Sequence, residues 1–69
     1  MDIKTKIGNR IRDLRHEREL SQEQFSHICG LDRTYIAGIE QGKRNVSIVN
    51  LEKIADGFEI SLSQLFKNL

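Results

Sequence analysis

A chain of 69 residues makes one domain, and burying only about 60% of its unfolded surface leaves such a domain marginally stable. One cysteine, Cys29, excludes an internal disulfide, and two histidines with one cysteine make no convincing zinc set, so a partner chain is the remaining source of extra stability. The apolar residues come singly or in pairs, too short for a membrane span, and no signal peptide is visible, so a cytoplasmic protein is expected.

The net charge of +1 hides an uneven distribution. Lys4, Lys6, Arg10, Arg12, Arg15 and Arg18 crowd the first third, and Arg33, Lys43 and Arg44 the middle. Two readings fit: one basic face, or ordinary solvated helix surfaces.

The apolar spacing is helical throughout and no alternating pattern supports a sheet. Ile3, Ile7, Ile11 and Leu14 step by three or four along a first helix that Asp2 can cap. Ser21 and Gln24 form a capping box for a second, with Phe25, Ile28 and Cys29 as its apolar stripe. Gly30 ends it, because glycine takes the left-handed conformation without steric cost. Asp32 can cap a third helix in which Ile36 and Ile39 point inward, and Arg33, Thr34, Ala37, Gly38 and Gln41 lie on the other sides. Gly42 closes it, and a polar loop follows from Lys43 to Val46. Asn45 or Ser47 can cap a fourth helix, with Ile48, Leu51, Ile54, Ala55 and Phe58 inward. Ser61 and Gln64 repeat the box and open a last short helix with Leu62, Leu65 and Phe66.

The stretch SQEQFSHICGLDRTYIAGIEQG, about 21–42, therefore reads as two short helices joined by a tight turn. Such a unit sets its second helix in the DNA major groove while the first crosses the backbone. Arg33, in the first turn of that second helix, has the fork that matches O6 and N7 of guanine; the bland alternative is a phosphate- or water-bound surface arginine. Thr34 offers a methyl for thymine and a hydroxyl for a base or phosphate, or simply bonds its own backbone. Gly38 inside a helix costs up to about 1 kcal/mol relative to alanine, a sign of close approach by DNA or by a neighbouring helix, and Ala37 is nearly as small. Lys43, Arg44, Asn45 and Ser47 are placed to grip phosphates, unless they form only a mobile polar loop.

This segment resembles the helix-turn-helix of the lambda-repressor/Cro-like (XRE) family. Upstream IGNRIRDLRHERELSQ and downstream VSIVNLEKIADGFEISLSQLF resemble the flanking helices, so nearly the whole chain is covered. Within the family, LDRTYIAGIEQGKRNVS is most like the controller proteins of restriction-modification systems. The resemblance implies an all-α, five-helix lambda-repressor-like DNA-binding domain occupying 1–69. It implies phosphate binding by Gln22, otherwise a solvated first-turn residue, DNA contact by Tyr35, otherwise a core aromatic, and a structural pair between Arg15 and Glu40; Gln41, on the outer side of the third helix, is also expected to touch DNA. It also implies a homodimer on a palindromic operator in double-stranded DNA, held by the C-terminal helices, about 46–69. Val46, Val49, Leu62, Leu65 and Leu69 are the expected dimer residues.

Two departures stand out: Ser26 replaces the usual alanine, and Glu59 replaces the usual glycine. A residue with a Cβ takes a positive φ at a cost, so the end of the fourth helix is expected to shift, toward Gly57. No phosphate loop, catalytic set or metal cluster is visible, so neither an enzyme nor a cofactor or small-molecule ligand is expected. An alternative of another class is an antitoxin or other protein-interaction module on the same fold. Such modules usually carry an extra tail, and the run ends close behind its last helix, which favours a self-contained regulator.

Overall fold

The computed structural model describes residues 2–69. Five helices follow in order: α1 (Ile3–Glu17), α2 (Gln22–Cys29), α3 (Arg33–Glu40), α4 (Ile48–Gly57) and α5 (Leu62–Leu65), with no strand among the described residues. Each starts on a side chain that accepts a backbone N–H: Asp2, Ser21, Asp32, Ser47 and Ser61. Ser47, rather than Asn45, caps α4. The Ser21/Gln24 and Ser61/Gln64 boxes are both closed, each serine N–H bonding the glutamine amide oxygen in return.

The core takes Ile7, Ile11 and Leu14 from α1, Phe25 and Cys29 from α2, Ile36 and Ile39 from α3, Ile54 and Ala55 from α4, then Phe58 and Leu65. Phe25 and Phe58 stack with centroids 4.1 Å apart. Two glycines allow the helices to approach. A Cβ on Gly57 would lie 3.0 Å from Cys29 Cβ, and one on Gly8 would lie 2.3 Å from the Ile39 carbonyl oxygen. Burial raises the pKa of the Cys29 thiol, and its cysteine serves the core as a small apolar residue.

Four apolar expectations need correction. Ile3, Ile28 and Ile48 remain more than half exposed. Ile3 and Ile48 occupy the first turns of α1 and α4, where the inward stripe runs past the edge of the core. Ile28 follows Phe25 by three residues, but it is Cys29, four residues on, that faces Gly57. Leu65, expected at the dimer contact, is fully buried and offers no surface to a partner. Of the other residues expected there, Val46, Leu62 and Leu69 pack partly buried against the core, and Val49 is exposed.

The end of α4 answers the question raised by Glu59. The helix stops at Gly57, and Glu59 nonetheless takes the left-handed conformation, at φ 59°. Its N–H bonds Asp56 O and the Ile60 N–H bonds Ala55 O, both at 3.0 Å, the pair of bonds of a Schellman ending. Glu19, at φ 55°, closes α1 in the same way.

Candidate nucleic-acid interface

Capping sets the recognition geometry. Asp32 Oδ2 accepts the Thr34 N–H at 2.9 Å, and Gly30 turns the chain between α2 and α3 at φ 78°. Ile36 and Ile39 anchor α3 inward, which leaves Arg33, Thr34 and Gln41 exposed and Tyr35, Ala37 and Gly38 half-covered. Lys43, Arg44, Asn45 and Ser47 follow on an exposed loop. Gln22 and Glu23, in the first turn of α2, border the same open surface as Arg33. Their N–H groups, without intrahelical acceptors, and the positive end of the helix favour an anion there.

Glu40, at the end of α3, holds this arrangement together. Its carboxylate accepts two 2.8 Å bonds from Arg15, through Nε and Nη2, and one of 3.2 Å from Gln22 Nε2. Arg15 also donates to Leu20 O at 2.8 Å, and Arg12 donates to Glu40 O at 2.6 Å. Burial acts to raise the Glu40 pKa, but the Arg15 and Gln22 bonds and the charges of Arg15 and Arg12 outweigh it and hold the carboxyl below its ordinary range. The same bonds raise the Arg15 pKa. The Gln22 amide is thereby fixed against α3 with one of its two N–H bonds still free to donate outward.

Around Tyr35 three elements meet. Asn50 Nδ2, from α4, donates to Tyr35 Oη at 3.2 Å, and the Arg44 guanidinium lies 4.9 Å from the ring centroid. Asn50 carries no sign of this partnership in the sequence, because a polar residue on the outer side of a helix reads as solvated.

The basic first third makes no simple basic face. Arg10 donates to Leu65 O at 3.1 Å and Gln64 O at 2.7 Å; Arg18 donates to Phe58 O at 3.2 Å and lies 5.0 Å from the Phe58 ring centroid. With Arg12 on Glu40 O, two arginines of α1 and Arg18 just after it each bond the carboxyl end of another helix, where the dipole is negative. Among the described residues, Arg33, Lys43 and Arg44 are the cations beside α3 that make no hydrogen bond or ion pair to a protein acceptor, Arg44 lying on the Tyr35 ring. Among the described residues no group of His, Cys, Asp or Glu is placed to hold a metal, and no helix is long and apolar enough to cross a membrane.

The profile of the helix-turn-helix family HTH_3 matches residues 11–65. The chain is 55% identical over 69 residues to control protein C.MunI of Mycoplasma sp, covering 99% of this chain and 93% of that one. It superposes on the crystal structure of the restriction-modification controller protein C.AhdI from Aeromonas hydrophila with a TM-score of 0.88 at 46% identity, covering 91% of this chain and 96% of that one. It also superposes on the controller C.Esp1396I, crystallised as a tetramer with its natural 35 base-pair operator, with a TM-score of 0.89 at 37% identity, covering 97% and 88%.

Proposed function

This chain belongs to the helix-turn-helix family HTH_3, and from that premise we propose that it is a sequence-specific regulator of transcription, the controller of a restriction-modification system, acting as a homodimer on a palindromic operator. The observation that carries the reading is the exposed side of α3, with Arg33 at its start, flanked by the first turn of α2 and the Lys43–Ser47 loop. A rigid convex helix edged by donors fits a groove, whereas the surface hollows are shallow and suit no small substrate. Arg33 reads guanine, Thr34 and Gln41 face neighbouring bases or sugars, and Tyr35 and Ala37 lie against the backbone. Gln22, Lys43, Arg44, Asn45 and Ser47 hold phosphates. Its action needs no enzymatic step, cofactor or small ligand, and its target places it in the cytoplasm on DNA.

The second copy is assigned to the face that leaves Val49 exposed with Ile48, next to the groove formed by Ile3, Val46, Leu51 and Phe66. The multimeric state of C.Esp1396I on its operator supports a multimer here. A twofold contact would place two copies of α3 about one DNA turn apart.

The test is selection of random duplexes by the purified protein, then titration of the winner at several salt concentrations. A palindrome is expected, with affinity falling as salt rises. Arg33→Ala should cost about 1–3 kcal/mol at one base pair of each half-site and relax its specificity. No enrichment and feeble binding at low salt would reject the reading and favour a protein-binding module.

A further inference from the structure

Three glycines sit inside helices of this fold, and two of them admit another helix. Gly8 lies against the carbonyls of Ile39 and Glu40, and Gly57 against Phe25 and Cys29. Gly38 differs. Its φ is not positive, and a Cβ there would meet no backbone and no core atom. Among the described residues it would meet only Arg44, at 2.9 Å from Cγ and 3.4 Å from Cδ.

We propose that Gly38 is a positioning residue: the space it leaves on α3 seats the stem of Arg44, and so presents that guanidinium to DNA in a preset pose. The proposal rests on the DNA-binding reading and assigns Gly38 a role within it, acting through Arg44 rather than by touching DNA. Gly42, at φ 75°, reverses the chain, and the Lys43 N–H bonds Gly38 O at 3.0 Å, which brings Arg44 back over α3. Tyr35 and Gly38 are three residues apart and share a helix face. The stem crosses Gly38 and the guanidinium reaches the Tyr35 ring, 4.9 Å from its centroid. Asn50 Nδ2 on Tyr35 Oη keeps that ring from swinging away.

The pose matters because a free arginine side chain must be immobilised when it binds. Stacking it beforehand on an aromatic ring removes part of that loss while leaving its N–H donors pointing outward. Alanine at 38 would suit the helix better and the seat worse. The two effects have opposite signs in two different assays, which separates a seat from a merely structural glycine.

The experiment is a double-mutant cycle on a duplex that the wild-type protein selects from random sequence. Gly38→Ala should unfold at the same or a higher temperature yet bind about 5- to 10-fold more weakly. Arg44→Ala should also bind more weakly, with a shallower dependence on salt. In the Arg44→Ala background, Gly38→Ala should change nothing further. Equal weakening by Gly38→Ala in both backgrounds would overturn the proposal, since Gly38 would then approach DNA itself. Wild-type affinity in either single variant would also overturn it, leaving the DNA-binding reading intact. Only a wild-type protein that selects no duplex would remove both.

Discussion

Replacing Glu59 by glycine should stabilise this protein, and the size of the gain follows from the backbone. Glu59 stands at φ 59°, held by two 3.0 Å bonds at the end of α4, so the conformation is imposed and does not relax. A Cβ in the left-handed region crowds the following carbonyl at a cost of about 1–2 kcal/mol. Glycine removes that cost but loses about 0.5–1 kcal/mol through the greater freedom of the unfolded chain. The exposed Glu59 side chain makes no hydrogen bond or ion pair among the described residues, so nothing else is lost. Mid-range values give a net gain of about 0.75 kcal/mol. For a domain of this size, 1 kcal/mol moves Tm by about 4–8 °C, so Glu59→Gly should melt about 3–6 °C higher by circular dichroism. Glu19→Gly, at φ 55° in the equivalent place after α1, should behave alike; because Arg18 bonds Phe58 O and joins the two turns, the double variant should depart from the simple sum. An unchanged or lower Tm for both variants would refute the strain argument.

The Arg15–Glu40 pair yields two further expectations. Glu40→Ala leaves the Arg15 guanidinium buried and uncompensated, at a cost of about 3–5 kcal/mol in urea unfolding, which is a large fraction of the stability of so small a domain. Acid should act through the same carboxyl. Its pKa lies below the ordinary 4.5 when folded, so its contribution is complete above that value and is lost as pH falls through the lower folded value. The urea midpoint of the wild type should therefore drop below about pH 4.5, and more steeply than that of Glu40→Gln; equal slopes would show that Glu40 does not carry the effect.

Helix positions were legible because their causes are local. A serine followed three residues later by glutamine satisfies its own orphan donors wherever it occurs, and both boxes form. The turn at Gly30 and the ending at Gly42 follow from glycine alone. Periodicity fails where it has no neighbour to consult. It places Ile48 on the inward stripe of α4 but cannot tell that the core ends before that turn. It cannot orient Leu65 either, because α5 is four residues long and one turn contains no repeat. Gly38 shows the same limit from another side: its smallness signals a close approach, but only the folded chain names Arg44 as what approaches.

Arg10, Arg12 and Arg18 explain why charge counting misleads here. Their acceptors are backbone carbonyls 28, 40 and 55 residues away, and a carbonyl has no letter in the sequence. A cluster of cations in one segment therefore looks like a nucleic-acid face. In the folded chain Arg12, Arg18 and Arg10 answer the negative ends of α3, α4 and α5, while Arg15 answers a carboxylate. With a net charge of only +1, the chain does not attract a polyanion by its total charge. On the proposed reading, Arg33, Lys43 and Arg44 around α3 act through position. Binding of that kind depends on where each side chain is held, so on that reading the contacts of Glu40, Gly38 and Asn50 matter as much as the residues that reach outward.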